Sequence, residues 1–250
     1  MKLYEELAEY YYEIEKHSRN FRHEIDFLNE VFQAYGVNSV LDLGCGTGEH
    51  LAELQKMGFQ ITGIDSSREM VKVSKKRFPG INVREGRIQK FHSEIQHDAV
   101  ICLYGTFNYL IENIDLQNSF QSIRNALKSG GVLFLDIWNA VPLQKIKRKP
   151  IAPVSLSKVG ETLIRRNRGF FLRSSSEDSV SDQTLIELNF VFDMNKKLIN
   201  DRHIMRVFNL NEIRDHLENA GFRFILAYGN YSKEPFQATS GRILVLAMKL

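Results

Sequence analysis

Cysteine is scarce in this chain of 250 residues: Cys45 and Cys102 stand far apart and in no CxxC pair. That excludes a disulfide framework or a zinc knuckle and suits a reducing compartment. Tryptophan occurs once, proline five times and glycine 16 times, so collagen-like and low-complexity architectures are excluded. No apolar run exceeds about six residues, as in Ile243 to Met248, against the roughly 20 needed to span a bilayer. The opening MKLYEELAEYYYEIEK breaks every apolar stretch with charge, unlike the core of a secretory signal. The expectation is a soluble, cytoplasmic protein with no membrane partner. An excess of one charge is also lacking: 33 basic side chains face 30 acidic ones, net +3, which is no argument for a nucleic-acid partner.

What is present is an alternation of periods. Apolar residues at helical spacing predict two helices between Tyr4 and Ala34, breaking near His17–Asn20 and ending at Gly36. Short apolar strands are expected at 39–43, 59–64, 81–84, 99–103 and 131–137, with helices at 49–57, 69–77 and 116–127 between them. Strands alternating with helices of this length imply a parallel sheet covered on both faces, with a ligand crevice at the carboxyl ends of the strands. After Val141 the grammar changes. Pro150, Pro153 and a basic stretch (nine Lys and Arg between Gln144 and Arg173, against Glu161 alone) precede alternating strands at 162–173, 185–193 and 198–207. A solvated loop is expected at Ser174–Ser179. Helix and strands return at 211–219, 222–227 and 243–248. Residues 1–140 and 207–250 therefore read as one core, and 141–206 as an antiparallel insertion serving as acceptor lid or oligomer contact. Its strand edges leave a monomer or a homodimer open.

The strongest signal is Asp42-Leu43-Gly44-Cys45-Gly46-Thr47-Gly48. Three glycines at alternate positions between strand and helix suit a backbone that turns tightly or approaches a ligand. A second carboxylate, Asp65, closes the next strand about 20 residues on, where nucleoside-binding βαβ units grip a ribose diol. A carboxylate accepts two hydrogen bonds at once, as a diol requires. Capping the following helix is the alternative for Asp65, and holding the loop amides is the alternative for Asp42. Dinucleotide sites prefer G-x-G-x-x-G around a pyrophosphate. Here the third glycine comes one residue early and Glu49 would repel phosphate, so a ribose-bearing ligand without phosphate fits better.

These residues carry a family resemblance. LDLGCGTGEH followed by TGID resembles the S-adenosylmethionine motifs of class I methyltransferases, and HDAVICLYGTFNYL, ALKSGGVLFLDIW and NLNEIRDHLENAGF resemble their later elements in order. The resemblance implies an α/β, Rossmann-like, seven-stranded and mostly parallel sheet with helices on both faces, carrying the antiparallel insertion. It implies S-adenosyl-L-methionine as cofactor and transfer of a methyl group to a small-molecule acceptor. Within the class, the Tyr-rich amino terminus, Asn108-Tyr109, Trp138 and the insertion look most like small-molecule N-methyltransferases, including those acting on amino sugars. The cofactor residues that carry over are Asp42, Gly44, Cys45, Gly46 and Gly48 in the first loop, Asp65, Ser66 and Met70 after the second strand, Ile88 after the third, and Leu103 and Tyr104 after the fourth. Arg87 stands where the family often has an Asp facing adenine, and it cannot accept a hydrogen bond.

A sulfonium methyl is already activated, so transfer needs collinear placement more than chemistry from the protein, and no metal site is expected. The Pro-Pro-aromatic signature of base amine methylation and the Pro-Cys of pyrimidine methylation are both missing, and Cys102 reads as core. RNA or protein acceptors and a binding-only protein are the alternatives. Candidates for the acceptor side are Tyr11, Tyr12, Phe107, Asn108, Tyr109, Trp138 and His203, of which Tyr12, Asn108 and His203 are the catalytic candidates. Helix packing, loop capping and a hydrogen-bonded strand histidine are their respective structural alternatives. If the basic stretch lines the cleft, it favours an anionic acceptor.

Overall fold

A computed structural model describes residues 1–173 and 183–250; the loop expected at Ser174–Ser179 lies outside them. The core is a seven-stranded sheet. In chain order its strands are β1 (Ser39–Leu43), β2 (Gln60–Asp65), β3 (Asn82–Glu85), β4 (His97–Cys102), β5 (Leu127–Trp138), β10 (Phe222–Tyr228) and β11 (Arg242–Lys249). In space they run β3-β2-β1-β4-β5-β11-β10, and only β10 and β11 pair antiparallel to their neighbours. The strand order reverses between β1 and β4, which is where an open α/β sheet leaves its ligand crevice. Helices α2 (Phe21–Ala34), α3 (Glu49–Lys56), α4 (Arg68–Arg77), α5 (Asn113–Ala126) and α7 (Leu210–Asn219) cover the faces.

Local chemistry sets these elements. All five residues of β1 are buried, the mark of a strand covered on both faces. Helix α2 starts where the Asn20 side chain accepts from the His23 amide, and it buries Ile25, Leu28 and Phe32 on one stripe. Helix α7 opens on a capping box between Asn209 and Glu212. Among the described residues, no helix is long and apolar enough to cross a membrane.

The second sheet is antiparallel, with β6 (Arg148–Val159), β7 (Thr162–Arg173), β8 (Thr184–Met194) and β9 (Lys197–Val207) in sequential order. Two elements depart from the sequence reading. Strand β6 occupies the stretch where Pro150 and Pro153 implied a break. It survives because it is an edge strand, and its pairing with β7 slips at Lys149/Ala152 and Pro153/Ser155, so the missing amides cost no ladder bond in the sheet interior. A short helix, α6 (Ala140–Ile146), leads into it, capped by the Asn139 side chain.

The amino terminus also departs from expectation. Instead of one helix from Tyr4 there are 3₁₀ turns at Lys2–Tyr4 and Ala8–Tyr10, followed by a short α1 (Tyr11–Glu15). Tertiary contacts interrupt the helical ladder. The Leu3 amide donates to Asp201 Oδ2 at 2.7 Å, and Ser67 Oγ donates to the Tyr4 carbonyl at 2.5 Å. The segment thereby bridges the two sheets above the carboxyl ends of β1 and β2.

Candidate active site

Two adjoining cavities open at the carboxyl ends of the parallel strands. The first, about 340 Å³, is bounded by Gly44 and Gly46 after β1, Asp65 and Ser66 at the end of β2, and Arg87 and Ile88 after β3. Met70 on α4 closes one side. Gly44 has φ +76°, and a Cβ there would stand 2.3 Å from Thr106 Cγ2, so this backbone position admits no side chain. Around Gly46, by contrast, the nearest atom to an added Cβ is Tyr11 Cε1 at 3.6 Å.

Asp65 ties the first loop to the second. Its Oδ2 accepts from the Gly46 amide and its Oδ1 from the Ser67 amide, both at 2.8 Å. The cap of α4 is Ser67, whose Oγ accepts from the Met70 amide at 3.2 Å, so Asp65 is not spent on that task. Each carboxylate oxygen keeps a further lone pair for a donor in the cavity. Burial raises the Asp65 carboxyl above its ordinary range, although the two amides pull it down. An unblocked loop face, a rim carboxylate and the apolar sides of Met70 and Ile88 fit a nucleoside without phosphate.

Four of the cofactor candidates lie outside this cavity. Asp42, Cys45 and Leu103 are buried beneath it. Gly48 caps α3 at φ +87°, and its Cβ would meet Ser74 Oγ, away from the cavity. Burial, and then the charge of Asp65, pushes Asp42 up to about 7. Burial likewise pushes both thiols up, which suits Cys45 and Cys102 as core residues.

The second cavity, about 310 Å³, lies between the two sheets. Trp138 from β5 and Arg168, Phe190 and His203 from the antiparallel sheet line it. Tyr4, Tyr11, Tyr104 and Tyr109 line both cavities and form the wall between them. Tyr104 holds a φ of +55°, a conformation that side chains rarely adopt and that sites retain when their surroundings enforce it. Its ring is held between the guanidinium of Arg19 at 4.3 Å and that of Arg242 at 4.7 Å, and its hydroxyl donates to Glu15 Oε2 at 3.1 Å.

The charges around this cavity are almost all matched. Arg166 donates to Glu15 Oε1 at 2.5 Å and Arg242 to Asp136 Oδ1 at 2.7 Å. Arg168 has no ion pair among the described residues. Burial, and then the neighbouring Arg166, lowers its guanidinium from the usual value. The rest of the basic stretch is different: Lys145, Lys147, Arg148 and Lys149 are exposed, a solvated face.

The three catalytic candidates separate. His203 is buried in the wall of the second cavity. Asn108 lies in neither cavity. Its Oδ1 accepts from the Trp138 amide at 3.1 Å and its Nδ2 donates to the Arg206 carbonyl at 2.7 Å, clamping β5 to β9. Tyr12 also lies in neither: its ring packs edge-on against Phe21 and beneath Arg77. Phe107 is core, packed on Phe120. The sequence reading passed over Tyr4, Glu15 and Arg242, and it had Arg168 only as one member of the basic stretch that would favour an anionic acceptor if it lined the cleft. Arg166 and Arg168 at strand spacing could have shown that β7 turns two cations inward; the folding back of Tyr4 left no local signal.

The family described as "Methyltransferase domain" matches residues 40–131. A dTDP-3-amino-3,4,6-trideoxy-alpha-D-glucopyranose N,N-dimethyltransferase of Streptomyces venezuelae is 25% identical over 74% of this chain and 76% of its own. A S-adenosylmethionine-dependent methyltransferase from Clostridium acetobutylicum ATCC 824 shares the fold with a TM-score of 0.79 at 20% identity, over 98% of both chains. So does an amino pentose methyltransferase from Micromonospora echinaspora, solved with S-adenosylmethionine bound, at a TM-score of 0.71 and 20% identity over 93% of this chain and 92% of that one. With the ordered glycine, acidic and strand-end motifs already in place, these likenesses identify residues 40–131 as a methyltransferase domain, within a chain that has the fold of S-adenosylmethionine-dependent methyltransferases.

Proposed function

We propose that the chain transfers a methyl group to a small amine carrying an anionic group, with the cofactor in the first cavity and the acceptor in the second. The observation that carries this reading is the wall of Tyr4, Tyr11, Tyr104 and Tyr109, which lines both cavities and so sets them side by side. Asp65 would take the ribose hydroxyls, Gly44 and Gly46 the methionine portion, and Met70 and Ile88 the adenine. When bound, the cofactor supplies a methyl activated by its positive sulfur. The phenol faces of Tyr4 and Tyr11 suit that charge.

Arg168 supports the anionic half of the reading. A half-buried cation without a protein partner is costly unless a ligand completes it, and its planar fork fits a phosphate or carboxylate. The Streptomyces venezuelae relative is named for a sugar nucleotide amine, which has both features. Arg168, Phe190 and His203 come from the second sheet, which supports that sheet as the lid over the acceptor. The protein works in the cytoplasm in this reading, as a monomer or a homodimer.

The test uses S-adenosylmethionine with a labelled methyl group. dTDP-3-amino-3,4,6-trideoxy-α-D-glucopyranose takes up label, the same amino sugar without its nucleotide does not, and Arg168→Gln raises KM about tenfold or more, as loss of a charged hydrogen bond implies. Equal labelling of both sugars would remove the anionic requirement; labelling of neither would remove the amino-sugar acceptor.

A further inference from the structure

A chain of polar atoms runs from the shared wall into the second sheet. Tyr4 Oη stands 2.8 Å from Tyr109 Oη, Tyr109 Oη stands 2.6 Å from His203 Nδ1, and His203 Nε2 stands 2.9 Å from Asp201 Oδ2. The donors can be assigned from chemistry. An ionised carboxylate only accepts, so Nε2 donates to Asp201, and in the neutral imidazole Nδ1 is then the acceptor. Tyr109 therefore donates to Nδ1, and its oxygen is free to accept from Tyr4. The Tyr4 oxygen is left able to accept a proton from the cavity side.

We propose that Tyr4, Tyr109, His203 and Asp201 form a proton relay that removes the proton lost by the methylated amine, with His203 Nδ1 as its inner acceptor. The relay rests on the reading of the chain as an amine methyltransferase. In the step it serves, the amine lone pair forms the bond to the methyl carbon, and the carbon–sulfur bond breaks with its electron pair on sulfur. The nitrogen is left as an ammonium. Its proton goes to the Tyr4 oxygen, the Tyr4 hydrogen to Tyr109 and the Tyr109 hydrogen to Nδ1. A neutral methylated amine and an imidazolium result, and the charge returns by the same path to water after the amine departs.

The surroundings suit this use. His203 is 1% exposed and both its nitrogens are engaged, so its link to Tyr4 and the cavity runs through Tyr109. Burial raises both phenols well above their ordinary range, so they pass protons on and do not hold charge. Asp201 would be raised by burial, but hydrogen bonds from His203 and the Leu3 amide outweigh this and keep it ionised beside the imidazole. The titratable groups facing His203 are Asp201 on its own strand, Tyr109 from the turn Thr106–Tyr109 and Tyr4 from the amino-terminal turn. Phe190 on β8 faces it with an apolar ring at 4.9 Å. Tyr11, Glu15 and Arg168 share the cavity farther out.

The experiment needs no acceptor. The full chain, labelled with ¹⁵N in the histidine rings and ¹³C at tyrosine Cζ, is titrated by NMR from about pH 5 to 9, with and without S-adenosylhomocysteine. His203 is expected to be protonated on Nε2 when neutral, to gain its second proton on Nδ1, and to carry the Tyr4 and Tyr109 Cζ signals with it at one midpoint. In Tyr109→Phe the His203 titration persists and Tyr4 no longer follows it. A His203 neutral throughout, or a Tyr4 signal in the wild type that ignores its titration, overturns the relay. With an accepted amine, Tyr109→Phe lowers kcat about tenfold or more and leaves KM in place; an unchanged kcat also overturns it. Failure of S-adenosylhomocysteine to bind in calorimetry would sink the cofactor placement instead, and the linked titration would still stand or fall by itself.

Discussion

The hydroxyls of Tyr4 and Tyr109 meet at 2.8 Å, one from the amino-terminal turn and the other from the turn after β4, and both rings border both cavities. The contact joins residues 105 positions apart. It sets the amino terminus as the partition between the two cavities, so substitutions on either side should report on different halves of the proposed reaction.

Asp65→Ala should weaken S-adenosylhomocysteine binding about tenfold or more. Charge-assisted hydrogen bonds to a diol are worth roughly 1.5–3 kcal/mol, and the variant also frees the Gly46 and Ser67 amides. Calorimetry checks it; unchanged affinity would place the ribose elsewhere.

Gly44→Ala forces a Cβ against Thr106 at a positive φ. The strain should cost about 1–3 kcal/mol, which for a chain of this size lowers Tm by roughly 2–4 °C per kcal/mol. A thermal melt unchanged by the substitution would mean that the loop can relax.

Asn108→Ala distinguishes a clamp from a catalyst. It leaves the Trp138 amide and the Arg206 carbonyl without their partner, at about 1–3 kcal/mol for each buried group. The expected outcome is lower stability in urea with S-adenosylhomocysteine affinity retained. A variant of full stability that turns over slowly would restore Asn108 to the chemistry.

Stability should fall in acid through Glu24. Burial works against its ionised form, but hydrogen bonds from His50 and Arg19 hold the carboxyl down at about 2, below the ordinary 4.5. Because the folded value is depressed, its contribution is complete above about pH 4.5 and is lost as the pH falls toward 2. Glu24→Gln should flatten that part of the stability curve and cost about 3 kcal/mol near neutral pH, since Arg19 and His50 stay buried without their anion. Urea titrations at stepped pH measure both.

The parallel core was legible because its rules are local. Short apolar runs, glycines at turns and helical stripes each speak within a dozen residues, and Ser39–Leu43 or Phe21–Ala34 needed nothing beyond them. Strand β6 was illegible because proline's penalty depends on whether a strand lies at an edge, which sequence does not state. Tyr12 and Asn108 were candidates by residue type, yet one faces Arg77 and the other fastens two strands.

The chain's own order of residues determined the rim of the first cavity: a tight loop with Gly44 at positive φ and a carboxylate at the end of the next strand are consequences of adjacent backbone geometry, whereas the distant Thr106 is what bars a side chain at 44. The second cavity was decided by tertiary structure alone. Tyr4, Glu15, Tyr109, Arg168 and His203 come from four distant segments, and long-range packing is what pairs Arg166 with Glu15 and leaves Arg168 facing the cavity. No local pattern encodes which buried charge keeps a partner, because that depends on which segments fold back upon one another.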